Sequence, residues 1–131
     1  MSQMQVELVA ADRLVWSGEA NMVIARTTEG DVGILPNHAP MLSLMVDGIV
    51  DVTTIDGETW IAAVDAGFLS VANNRISVLA EHAEMSHDID LEKARADLER
   101  AQSAGEDDDE ATAAAERAWA EARIRATEKA S

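Results

Sequence analysis

From Met4 to about Met85, apolar and polar residues alternate in short runs. Met4, Val6 and Leu8 alternate with Gln5 and Glu7; Val50 and Val52 with Asp51 and Thr53; Ile76 and Val78 with Arg75 and Ser77. A period of two predicts strands with one buried and one wet face. Turn signals separate the runs: Ala11-Asp12, Glu29-Gly30, Pro36-Asn37, Asp47-Gly48, Asp56-Gly57 and Asn73-Asn74. Such residues tolerate the positive φ angles of tight hairpins. No helical period precedes residue 88, so parallel crossovers have nothing to run through, and the pattern predicts an antiparallel β-sandwich or barrel.

The period changes at Ser86. Leu91, Ala94, Leu98 and Ala101 recur at steps of three and four, one face of a helix, with Asp88 and Asp90 where an N-cap belongs. Gly105 and the acidic run 106–110 interrupt it. A second helix is expected from about Glu110 to Thr127, with Ala111, Ala115, Ala118, Ala122 and Ala126 on a small-residue face beside Trp119. A short connection makes antiparallel packing the default. The chain thus divides into a sandwich over 1–86 and an antiparallel two-helix hairpin over 87–131. Alanine faces bury little area at about 25 cal/mol per Å2, so the hairpin is expected to be weakly held and able to detach.

Composition narrows the function. The formal charge is −15 over 131 residues, a field that repels nucleic acid and anionic lipid and favours basic protein partners. Cysteine is absent, which excludes disulfides and thiolate metal sites. No run approaches the ~20 apolar residues that span a bilayer, and Met1 to Glu7 lack the form of a signal peptide. Any membrane link is expected to pass through a partner.

Motifs of chemistry are missing: no P-loop, GxGxxG, nucleophile elbow or HExxH occurs. His82 and His87 lie near Glu81 and Glu84 in an arrangement that matches no standard ligand spacing, so no metal is expected. His38 sits between Asn37 and Pro40 as a loop residue; a hydrolase using His38 with Asp31 lacks a visible nucleophile. The acidic run keeps a loop solvated and suits a helix N-terminus. Arg117, Arg123, Arg125 and Lys129 concentrate basic charge on the last helix, read first as a solvated face paired with Glu116, Glu121 and Glu128. From the residues alone, this is an acidic sandwich with a detachable hairpin and no active site: an interaction protein of unspecified partner.

One stretch is more specific. Residues 29–42, EGDVGILPNHAPML, closely resemble the signature loop and strand of the epsilon subunit of the bacterial F-type ATP synthase. Ala66-Gly67-Phe68-Leu69-Ser70-Val71, then residues 74–80 and Ala83-Glu84, resemble that family's last strands, and Ile89-Asp90 followed by Ala94 resembles the opening of its first C-terminal helix. The resemblance covers essentially the whole chain. It implies a central-stalk rotor subunit, itself non-catalytic, that couples rotation to the catalytic head of a proton-translocating synthase on the cytoplasmic face of the bacterial plasma membrane. The sandwich would bind the gamma subunit and the c-ring. The hairpin would fold down, or extend into the alpha and beta subunits of the head and inhibit ATP hydrolysis.

By position, Glu29, Gly30, Asp31, His38, Pro40 and Met41 correspond to the edge that meets c-ring and gamma, while Ile34, Leu35 and Leu42 are read as core. Arg123 and Arg125 correspond to residues that dock on the head. No cofactor is required, but some relatives bind ATP on the folded hairpin. The corresponding residues here are Glu84, Ile89, Asp90, Lys93, Ala94 and Arg100, with lysine in place of the motif arginine, so that only a weak regulatory site is expected. The alternative is an acidic β-sandwich binding module unrelated to the motor.

Overall fold

The computed structural model describes residues 3–11, 13–103 and 110–130. These form β1 (Met4–Ala10), β2 (Arg13–Thr27), β3 (Gly30–Ile34), β4 (Met41–Thr54), β5 (Thr59–Val64), β6 (Gly67–Ala72), β7 (Arg75–Ala80) and β8 (Ala83–Met85). A 3-10 turn at Ser86–Asp88 leads to α1 (Leu91–Gln102) and α2 (Glu110–Ala130). The acidic run from Glu106 to Asp109, with Gly105 and Asp12, lies outside the described residues.

Two long strands make the sandwich. The order is β3-β2-β1-β7-β6-β4-β5-β8, and β2 also pairs with β4. The first half of β2 lies against β1 and its second half against β3 and β4. β4 pairs with β6 over Met41–Met45 and with β5 over Gly48–Thr53. Strands that pass between sheets need bends or bulges, and register shifts break the β2–β4 ladder near Met22 and Thr27. Asp47-Gly48 is therefore not a hairpin turn. It lies inside β4, where the strand changes partner. Asn73-Asn74 does turn a hairpin, at φ 51° and 61°, between β6 and β7. One pairing departs from the antiparallel expectation: β1 runs parallel to β7. The two are distant in sequence, so the chain can return through the whole intervening sandwich without a helical crossover.

The core follows the alternation. Met4, Val6 and Leu8 of β1, Val50 and Val52 of β4, and Ile76 and Val78 of β7 are all buried. β5 breaks the rule, because Ile61, Ala62, Ala63 and Val64 are all buried. Ala62 and Val64 join the sandwich core, while Ile61 and Ala63 form a second cluster with Ala122 and Ala126 of α2. A strand covered on both faces reads as an unbroken apolar run. The hairpin is thus layered, with α2 packed on the outer face of β4–β5 and α1 packed chiefly on α2.

That layering revises the small-residue face. Ala122 and Ala126 are buried as expected, Ala118 is half-buried, and Ala111 and Ala115 are exposed. Ala113, Ala120 and Arg123 are buried instead. A helix between two layers needs two apolar stripes, and one stripe of alanines supplies only the first. Asp90 caps α1 by accepting a hydrogen bond from the Lys93 backbone N at 3.1 Å. Asp88 belongs to the 3-10 turn and caps nothing in α1.

Candidate interaction surfaces

The outer face of the sandwich carries an apolar row. Cross-strand partners line up as Leu44 with Phe68, Phe68 with Leu79, Leu79 with Val9, and Val9 with Leu14. Four of these are large and about half in solvent: Leu44 55%, Phe68 49%, Leu79 47% and Leu14 57%. Scattered exposed apolar side chains are ordinary; a contiguous row across five strands is a candidate docking surface. Leu42, 72% exposed, and Leu35, 57% exposed, extend the apolar exposure toward the β3–β4 loop. Both were expected in the core, and of the three core assignments in that loop region only Ile34 holds. Ser43, between Leu42 and Leu44, is the half-buried member of the alternation. The face that should be wet is apolar.

The row ends in a groove of ≈ 660 Å3 lined by Thr28, Leu44, Val46, Gly67, Phe68 and Ala118. Ala118 belongs to α2, so the hairpin forms one wall. Gly67 shapes another part of it. A Cβ there would run into the backbone carbonyl oxygen of Leu79 on β7, so the strands approach this closely only with glycine.

The signature loop lies on the edge strand β3. Glu29 and Gly30 (φ 112°) form the β2–β3 turn, and His38 and Pro40 sit in the loop after β3. The two turns occupy opposite ends of β3, about 13 Å apart at strand rise. Glu29, Gly30, Asp31 and Pro40 are exposed, and His38 and Met41 are half-buried. Asp31 is not free: its carboxylate accepts from Arg26 Nε at 2.9 Å and from a second guanidinium nitrogen at 3.3 Å. Those bonds hold its carboxyl below the usual carboxylate range. Asn37, at φ 69°, ties the second turn to the β6–β7 hairpin, donating its backbone N–H to Asn74 Oδ1 at 2.6 Å.

Charged groups cluster in the hairpin. Asp97 on α1 accepts from Lys93 Nζ at 3.2 Å, from Arg100, and from Arg123 of α2 at 2.9 Å. Arg123 is 7% exposed and lies 5.4 Å from the centre of the Trp119 ring. Its burial removes it from the surface on which a docking cation was expected. Arg125 is exposed, with Glu121 at 3.6 Å.

The nucleotide residues are not assembled. Lys93 and Arg100 both point at Asp97, Asp90 is spent as a cap, and Ala94 is fully buried. Ile89 packs under α2. Glu84, on β8, lines a separate cavity with Arg13, Glu81, His82, Asp88 and Trp119. In this arrangement Lys93 and Arg100 are paired with a carboxylate and do not converge with Glu84 on one site.

The histidines separate as well. His87 stacks edgewise on Trp60, ring centres 5.6 Å apart, and Trp60 lies against Trp16 at 6.3 Å. His82 donates its backbone N–H to Asp65 Oδ1 at 2.8 Å and places Nδ1 2.6 Å from Asp65 Oδ2. Asp65, Glu81 and His82 thus come together, while His87 lies elsewhere. Asp47 lines a second cavity with Asp65, Glu81 and His82, and its carboxyl is raised first by burial and then by Asp65.

Residues 3–86 match the family described as ATP synthase, Delta/Epsilon chain, beta-sandwich domain. The ATP synthase epsilon chain of Rhodococcus jostii is 49% identical over 131 residues, 99% of this chain and 100% of that one. This chain belongs to the ATP synthase epsilon family. A second epsilon chain, from Streptomyces avermitilis, is 52% identical over 105 residues, 80% of this epsilon-family chain and 85% of its own length. The fold also matches a chain in the cryo-EM structure of the Euglena gracilis mitochondrial ATP synthase in rotational state 1, with TM-score 0.78 and 23% identity, covering 99% of this chain and 82% of that chain. A chain of the central stalk and c-ring of the Tetrahymena thermophila mitochondrial enzyme superposes with TM-score 0.62 at 18% identity, covering 97% of this chain and 95% of that chain. At these identities the likeness concerns the fold. Among the described residues, no helix is long and apolar enough to cross a membrane.

Proposed function

We propose that this epsilon-family chain is a non-catalytic rotor subunit of the central stalk of a proton-translocating ATP synthase. In this reading it sits peripherally at the cytoplasmic face of the membrane and reaches the membrane only through the complex. The observation that carries the reading is the apolar row Leu44–Phe68–Leu79–Val9–Leu14, a face built in register across the sandwich whose large side chains stand about half in solvent among the described residues. A subunit that transmits torque needs a broad, apolar, permanent contact rather than a pocket. We assign the row to the gamma subunit, with Phe68 at its centre as the anchor. The turns at Glu29–Asp31 and His38–Met41 lie along the free edge β3 and are assigned to the c-ring and the adjoining part of gamma. Asp31 presents there an ion pair with Arg26, not a lone carboxylate.

The hairpin is the regulatory part. Its weak, alanine-built contact with β5 suits an element that leaves the sandwich and enters the catalytic head to inhibit hydrolysis. Arg125 is available to an acidic surface of the alpha or beta subunits in the folded-down state; Arg123 becomes available only after opening. A Leu44→Ser/Phe68→Ser double variant tests the assignment of the row. Co-purification with the gamma subunit should weaken at least about tenfold, in keeping with the loss of an interface anchor. Undiminished binding would contradict the assignment.

A further inference from the structure

We infer that Asp97 is an internal counter-anion that latches α1 onto α2, and that Arg123 is a cryptic cation released only when the latch opens. The latch itself concerns contacts within the chain alone, while the release of Arg123 to a partner rests on the regulatory reading of the hairpin.

Three cations converge on one carboxylate. Two of them, Lys93 and Arg100, stand on the same helix as Asp97, with side chains 66% and 72% exposed. Exposed pairs at three or four residues' spacing contribute little. Arg123 differs in both respects: it comes from the other helix, and its side chain is 8% exposed. Its Nε is buried without a hydrogen-bond partner among the described residues. A guanidinium taken out of water needs a counter-charge, and Asp97 supplies it with a 2.9 Å bond, supported by the face of Trp119. Removing Asp97 strands the buried Arg123, which costs far more than the pair itself contributes, and removing Arg123 leaves Asp97 bonded to Lys93 and Arg100 of its own helix and takes away the cross-helix bond.

Apolar contact on α1 is modest: Ala94 and Ala101 are buried, and Leu91 and Leu98 are half-buried. A helix of this length is marginal by itself in water. The cross-helix bond therefore adds a large share to what keeps α1 ordered on α2. The same bond keeps Arg123 from any partner outside the chain. Opening the hairpin and presenting the cation are then one event. An acidic surface that binds Arg123 competes directly with Asp97.

Hydrogen exchange on the full chain tests this, with amides of α1, α2 and the strands followed separately. Asp97→Asn keeps shape and removes charge; Arg123→Met keeps bulk and removes the cation. Each should raise exchange in α1 at least about tenfold, with β1, β4 and β7 unchanged. Because the two side chains act as one contact, the double variant should exchange no faster than the faster single variant. Lys93→Met, which removes only an exposed partner, should stay within about twofold of the wild type. The inference is overturned if Asp97→Asn leaves α1 exchange unaltered, if the double variant shows the product of the two single effects, or if Lys93→Met matches Asp97→Asn.

Discussion

Phe68 stands half in solvent between Leu44 and Leu79, where its own strand's alternation places it opposite the buried Leu69. Because it is exposed, its loss should weaken partner binding without unfolding the chain. The Leu44→Ser/Phe68→Ser variant is expected to melt within about 1 kcal/mol of the wild type by denaturant titration, the range for surface positions. A large loss of stability would mean that these side chains are core after all. Gly67, one residue away, should behave oppositely. Gly67→Ala drives a Cβ into the β7 backbone and is expected to cost about 2 kcal/mol or more in the same titration. The sequence suggested the wrong face here for a physical reason. Leu42 and Leu44 flank Ser43, and binary patterning sends the leucines inward and the serine outward. The fold does the reverse, as patterning does where a surface is kept apolar for a partner. Asp97 was missed for a different reason. Its spacing to Lys93 and Arg100 is visible along α1, but the cation that matters comes from α2, and pairings across elements leave no local pattern.

At the scale of elements, α2 is the hinge between two weak contacts. Ala122 and Ala126 meet Ile61 and Ala63 on β5, with Ile49, Ile89 and Trp119 around them. Ala126→Leu adds bulk where a fully buried alanine packs and should push α2 off the strand at a cost of about 1–3 kcal/mol. Proteolysis of the hairpin should then quicken while the strands stay resistant; an unchanged cleavage rate would contradict the packing. The contact between helices has its own signature in acid. The Arg123 bond, followed by those of Lys93 and Arg100, holds the Asp97 carboxyl down at about 2, from an ordinary 3.8. A depressed carboxylate stabilises the fold above its unfolded value and loses that contribution as pH falls through its folded value. The latch should thus be constant from neutral pH to about 4 and fail between about 4 and 2. Loss of α1 helix by far-ultraviolet circular dichroism of the full chain reports it, and Asp97→Asn should abolish the acid transition. The strands themselves were legible because alternation and turn chemistry are local. The doubly covered β5 and the doubly covered α2 were less so, because each serves two layers and neither obeys a single-face period.

At the scale of the molecule, the apolar row and the hairpin share a wall at Ala118. A partner seated on Leu44 and Phe68 would therefore lie next to α2. This adjacency places the proposed rotor contact of the sandwich and the proposed regulatory hairpin on the same side of the molecule. The family was legible in one loop, because Gly30, Asn37 and the residues between them combine backbone demands with an edge strand in an unusually long motif. The hairpin's state was not, because it depends on a balance of small contacts.

The most direct test is ATP hydrolysis and coupled synthesis by the purified synthase carrying either the full chain or a version stopped after Asp88. The shortened chain should still assemble and sustain synthesis, while hydrolysis rises severalfold. Unchanged hydrolysis would contradict the hairpin's role as a brake, and failure of the full chain to assemble with the synthase would contradict its place in the rotor.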